Sequence, residues 1–153
     1  MGNESPNSNG WSRTINGQPA NGSSAERSKV VTDSDLKLFA EITGDRNPLH
    51  FDEELARGSV FGGLIAHGGV TSGILNALVA EDLPGPGSVF LEVNWRFLKA
   101  VYVNDTITGQ VTIENVREDK PICHLLTQVR NQHGDLCLTG SAVTYTVALK
   151  AKS

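Results

Sequence analysis

The sequence predicts an α+β fold, an antiparallel sheet of about five strands wrapped around one buried helix. Three observations carry that expectation. The stretch from Gly68 to Ala80 contains no charged residue, and a helix that is apolar on nearly every side is a buried one. After Gly87, long segments alternate apolar with polar residues, the period of a strand with one buried face. The order is a short strand, then helices, then long strands, so helix and sheet are segregated along the chain. At 153 residues the chain has the length of one ordinary domain.

The elements follow in order. In residues 1–27, Gly, Asn, Ser and Pro fill more than half of the positions. Such a segment buries too little apolar surface to offset its ordering entropy, so it reads as a disordered tail. Residues 28–149 read as the folded domain and 150–153 as a short C-terminal tail. Ser28–Thr32 is a strand candidate. Thr32 or Ser34 can cap a helix starting near Asp33, with Asp35 in its first turn. Leu36, Phe39, Ala40 and Thr43 form its stripe, and Gly44 suits its end. Pro48 cannot continue that helix and pushes Asn47 towards an extended backbone, so Asp45–His50 reads as a turn. Asp52–Arg57 reads as a short helix and Gly58–Ala66 as a loop. The charge-free helix ends at Glu81–Gly87, where Pro84-Gly85-Pro86-Gly87 cannot be helical. Four strands follow as an antiparallel meander: Val89–Phe97, Thr106–Val116, Pro121–Asn131 and Leu136–Leu149. The last two join through a two-residue turn at His133-Gly134. That turn puts Cys137 opposite Arg130 and Cys123 opposite Thr144, so the two cysteines are not cross-strand partners and no disulfide is expected. A sheet wrapped around a single buried helix is a hotdog fold.

Composition excludes several function classes. The chain carries 13 Lys and Arg against 17 Asp and Glu, a net charge of −4, which speaks against a nucleic-acid partner. No stretch approaches the roughly 20 apolar residues of a membrane span. The N-terminal residues lack the apolar core of a secretory signal, which points to a cytoplasmic address. Cys123 and Cys137 have no metal-ligand spacing.

Two clusters carry chemistry. Gly44-Asp45-Arg46-Asn47-Pro48-Leu49-His50-Phe51-Asp52 packs carboxylates, an Asn and a His into a Pro-stiffened turn after a helix. An Asp and a His held there can share one water, one accepting a proton and the other donating or accepting another. An Asx turn with an incidental His fits the same residues. The second cluster, Ala66-His67-Gly68-Gly69, opens the apolar helix. The first N–H groups of a helix have no internal partner, and glycines let a ligand approach the backbone. That arrangement suits a carbonyl oxygen that becomes negative in a transition state. A tight turn that needs Gly, with His67 as a cap or packing residue, fits equally.

The two clusters together resemble the MaoC-like hydratases, which include the (R)-specific enoyl-CoA hydratases, also called hydratase 2. The resemblance rests on Gly44-Asp45-x-Asn47-Pro48-Leu49-His50-x-Asp52 followed by Ile65-Ala66-His67-Gly68. Phe97–Thr106 and Arg117–Ile122 resemble the family's strand segments, so roughly residues 30–147 are covered. The resemblance implies reversible addition of water across a trans-2-enoyl thioester of CoA or acyl carrier protein, giving the (R)-3-hydroxyacyl product. By the same resemblance Asp45 and His50 are the acid–base pair, Asn47 buttresses the turn, the Gly68 N–H binds the thioester oxygen, and Asn47 and His67 are expected with Gly68 in the oxyanion and substrate-binding set. It further implies a homodimer joined sheet edge to sheet edge, with no metal or redox cofactor. A hotdog thioesterase and a non-catalytic acyl-thioester-binding module are the alternatives. Gly69 departs from the family, which usually has Met or another large apolar residue there, so an altered acyl pocket is expected. Ala100 and Asn104 replace the usual Pro and Gly of a strand turn.

Overall fold

The structure, a computed structural model, describes residues 9–151. Strand β1 (Ser24–Val30) leads through Thr32 into helix α1 (Asp33–Thr43). The Thr32 side chain accepts from the Asp35 N–H while the Asp35 carboxylate accepts from the Thr32 N–H, a reciprocal cap. Leu36 and Ala40 turn inward from α1. Gly44 ends the helix at φ +78°, in the left-handed region where a Cβ is disfavoured.

Asp45–Asn47 is the turn, but it closes earlier than expected. Pro48 starts a one-turn helix, α2 (Pro48–Phe51), because a first helical position needs no N–H. Helix α3 (Glu53–Arg57) follows, capped by Asp52. Helix α4 (Gly68–Ala77) runs on into a π-helical turn, Leu78–Asp82. Strands β2 (Ser88–Phe97), β3 (Thr106–Val116), β4 (Ile122–Arg130) and β5 (Leu136–Thr146) complete the chain.

The five strands form one antiparallel sheet in the order β1-β3-β4-β5-β2. Only β3-β4-β5 is a meander. Strand β2 crosses to the far edge and pairs with β5, so the expected four-strand meander is corrected. Alternate residues of β3 and β4 face the helix, as the period-two pattern requires. Leu75 and Leu78 from the helix meet Ile107, Val111, Leu125 and Leu138 from the sheet in one core. This is the hotdog arrangement.

The β4–β5 turn is longer than two residues. The Asn131 N–H donates to the Asp135 carbonyl, Arg130 faces Leu136, and a bulge at Cys137 restores the register. Cys137 is therefore not opposite Arg130, whereas Cys123 does face Thr144. A turn one residue longer and a one-residue bulge cancel. Both cysteines are free and buried, and burial pushes the Cys123 thiol up to about 12. The thiolate is the reactive form, so neither cysteine should release chromophore from a disulfide dye at pH 8 until denaturant is added. A fast native-state reaction would contradict the buried placement.

The expectation of a disordered segment over residues 1–27 is corrected for residues 9–27; residues 1–8 lie outside the described residues. Trp11 is 1% exposed and sits in the main core. Its indole Nε1–H donates to the Arg117 carbonyl at 2.7 Å. Gly22 and Ser23 exchange backbone hydrogen bonds with Ile113, and the Lys150 N–H donates to the Arg13 carbonyl. Strand β1 itself begins at Ser24, four residues earlier than expected. One large aromatic side chain and a strand edge anchor a segment whose average composition is polar.

Candidate active site

The turn after α1 is built from side chains folding back on the backbone. The Thr43 hydroxyl accepts from the Asp45 N–H, Asp45 Oδ1 accepts from the Asn47 N–H at 3.1 Å, and Asn47 Oδ1 accepts from the Leu49 N–H at 3.1 Å. The Asx turn considered from the sequence is thus present, and it is also what fixes Asp45. Asn47 caps α2, which aims His50 inward. His50 is 7% exposed, and its Nδ1 lies 2.6 Å from the Ile65 carbonyl. A carbonyl only accepts, so Nδ1 carries a proton, and in the neutral ring Nε2 holds the lone pair. Asp45 is exposed. A base locked in one tautomer beside an accessible carboxylate is an arrangement for moving protons.

His67 completes the cluster from the other side. It is 1% exposed, and its ring stacks on that of His50 with centroids 3.8 Å apart and planes 29° apart. Its Nε2 lies 3.0 Å from the Asp45 backbone carbonyl. One ligand-capable atom from each of Asp45, His50 and His67 lies within 4.8 Å of the others. A cation could be held at such a spacing.

His67 is also the cap residue of α4 but makes no side-chain capping bond. The N–H groups of Gly68 and Gly69 therefore receive no acceptor from it, and Gly68 is exposed. A free helix N-terminus beside the Asp45–His50 pair can hold a developing negative charge. Two cavities flank the cluster. One of about 700 Å³ is lined by Arg46, Pro48, His50 and Phe51. The other, of about 370 Å³, is lined by Gly68, Thr71, Phe97, Leu98 and Val101.

The structure thus brings together Asp45, Asn47, His50, His67 and Gly68. Sequence reasoning missed the Ile65 carbonyl, whose role no side-chain pattern signals. It also missed Phe39, whose ring stands 4.7 Å from that of His67. Phe39 explains Gly69 as well: a Cβ at Gly69 would fall 2.2 Å from the Phe39 Cζ. The space that a larger residue would take is filled by an aromatic ring from α1.

A family model described as a MaoC-like domain matches residues 15–133. The chain belongs to the MaoC-like family. Among its MaoC-like relatives, the (R)-specific enoyl-CoA hydratase of Aeromonas caviae is 37% identical over 122 residues, covering 80% of this chain and 91% of the relative. A structure of the (R)-hydratase from A. caviae involved in PHA biosynthesis superposes with a TM-score of 0.81 at 35% identity, over 84% of this chain and 98% of that one. The mitochondrial 3-hydroxyacyl-[acyl-carrier-protein] dehydratase of Arabidopsis thaliana is 31% identical over 118 residues, covering 76% of this chain and 70% of the relative. Among the described residues, no helix of this MaoC-like chain is long and apolar enough to cross a membrane.

Proposed function

We propose that this MaoC-like chain is a hydro-lyase that adds water reversibly across the double bond of a trans-2-enoyl thioester, giving the (R)-3-hydroxyacyl thioester. The observation that carries the reading is the Asp45–His50 pair held beside the free N-terminus of α4. The curated relatives act on CoA thioesters or on acyl-carrier-protein thioesters by name, so the substrate is an acyl thioester of that class.

The chemistry follows from the geometry. One water sits between the Asp45 carboxylate and His50 Nε2. Asp45 accepts a proton from it as its oxygen attacks C3. The electron pair of the double bond moves towards C1, and negative charge gathers on the thioester oxygen. The Gly68 N–H donates to that oxygen. The proton that Asp45 accepted then passes to the free Nε2 of His50 and on from Nε2 to C2, so both side chains end as they began. Proton count balances, since water supplies both the hydroxyl and, through the pair, the C2 hydrogen. Asn47 holds the turn and does not touch the substrate.

The test is direct. Purified protein mixed with crotonyl-CoA should remove the enoyl-thioester absorbance, and an (R)-specific dehydrogenase should oxidise the product. No loss with crotonyl-CoA, longer enoyl-CoAs or an enoyl carrier-protein thioester would overturn the reading. Release of free thiol would favour a thioesterase.

A homodimer is part of the proposal. Strand β2 is an edge of the sheet, with its outer side unpaired among the described residues. It exposes Val89, Leu91, Val93 and Phe97, and a long apolar edge strand invites pairing with another copy. Phe97 also packs on Gly68, with its Cε1 3.0 Å from where a Cβ would stand, so this edge adjoins the site. Val93→Lys should shift the light-scattering mass from dimer to monomer. A wild-type chain that is monomeric at tens of micromolar would contradict the dimer.

A further inference from the structure

We infer that His67 is a positioning residue, rather than a substrate contact, that ties the Asp45 turn, the His50 ring and the Gly68 amide into one rigid unit. The inference rests on the proposed hydration reaction but concerns a residue whose side chain that reaction does not use.

Three contacts meet in this one side chain. Its Nε2 faces the Asp45 carbonyl at 3.0 Å. Because a carbonyl can only accept, Nε2 is the protonated nitrogen and the bond runs from His67 to Asp45. Its ring face lies 3.8 Å from the His50 ring. Its own backbone is the residue before Gly68, at the start of α4. The remaining nitrogen, Nδ1, is buried and has no hydrogen-bond partner. A buried polar atom without a partner is costly, so a ring that keeps one is held there by what its other atoms do. The Nε2–H tautomer leaves Nδ1 as a bare lone pair among the rings of Phe39, Phe51 and His50. At 1% exposure the side chain has no open path to a substrate.

The stack continues outward. Phe39 backs His67, and Gly69 leaves the space that Phe39 occupies. The order Gly69, Phe39, His67, His50 is therefore a wedge that fixes the His50 ring plane. A phenylalanine at 67 would keep the stack without the N–H. An asparagine would keep an N–H without the stack.

The experiment compares His67→Ala, His67→Phe and His67→Asn with the wild type for kcat and KM on an enoyl-CoA, each normalised to the folded fraction. Misplacing reacting groups by about 1 Å costs on the order of 10²-fold in rate. His67→Ala should lose about that much in kcat with KM changed less than about threefold, and His67→Phe and His67→Asn should each recover part of it. A raised KM with kcat preserved would mean that the ring touches substrate and would overturn the inference. So would three variants with wild-type kcat. Ring ¹⁵N NMR of the wild type adds a test independent of turnover: Nε2 of His67 should be protonated and Nδ1 bare, and the opposite tautomer would overturn the tie to Asp45. A wild type inert towards every enoyl thioester would instead overturn the reaction itself, while the NMR result would still decide the tie.

Discussion

Asp45→Asn and His50→Ala should each lower turnover of an enoyl thioester by about 10²–10⁴-fold, the usual contribution of a positioned acid or base. The two substitutions fail for different reasons. Asn keeps the shape of Asp45 and can still accept from the Asn47 N–H, as Oδ1 does now. The turn therefore persists while the proton acceptor is lost. His50→Ala removes the ring that bonds the Ile65 carbonyl and stacks on His67, so it also loosens the surroundings. Asp45→Asn is the cleaner variant. It should fold and assemble as the wild type does, with the loss confined to kcat. Steady-state kinetics beside a thermal melt check both points. Near-wild-type turnover in either variant would remove that residue from the mechanism.

Trp11→Ala should be the most damaging substitution outside the site. Trp11 is 1% exposed and packs in the main core. Truncating a buried Trp costs about 3–5 kcal/mol, and in a domain of this size each kcal/mol lowers the melting midpoint by about 2–4 °C. A fall of about 6–20 °C is expected. The Arg117 carbonyl also loses its indole donor. A midpoint within a degree or two of wild type would show that the N-terminal segment does not hold the core.

Trp11 also marks where sequence reasoning stops. The average composition of the N-terminal segment reads as disorder, and averages are blind to one anchor. A single Trp that reaches into the core outweighs the flanking Ser, Asn and Gly, because burial scales with the area of the side chain that is buried. The charge-free helix and the alternating β3 and β4 were legible, since both patterns state which face is buried. Strand β2 alternates equally well, yet most of it is exposed. Periodicity tells which residues share a face, not whether anything covers it. The place of β2 beside β5 was hidden for a related reason: strand order depends on how Leu98–Asp105 crosses the end of the fold, and turn residues do not encode that path.

The site divides the same way. Asp45, His50 and Gly68 could be singled out because their residue types and spacing suit the proposed chemistry, and their proposed roles come from the resemblance to the MaoC-like hydratases. An Asx turn and a catalytic turn fit the same residues; the side-chain bonds of Asp45 and Asn47 make the turn itself, and the proposed reaction uses that same turn. What could not be read was the neighbourhood. The Ile65 carbonyl, which fixes the His50 tautomer, and Phe39, which backs His67, arrive from segments 15 residues downstream and 11 upstream of His50. From the sequence, Gly69 reads as an altered acyl pocket. It is instead one half of a close-packed pair with Phe39.

The central claim is that one water, held by Asp45 and His50 on a single face of the double bond, supplies both new groups. The most direct measurement is hydration of crotonyl-CoA in deuterium oxide, with the relative configuration at C2 and C3 of the product read by NMR. The account predicts a single diastereomer, with deuterium and hydroxyl added to the same face and the (R) configuration at C3. Addition to opposite faces, or a mixture at C2, would contradict it.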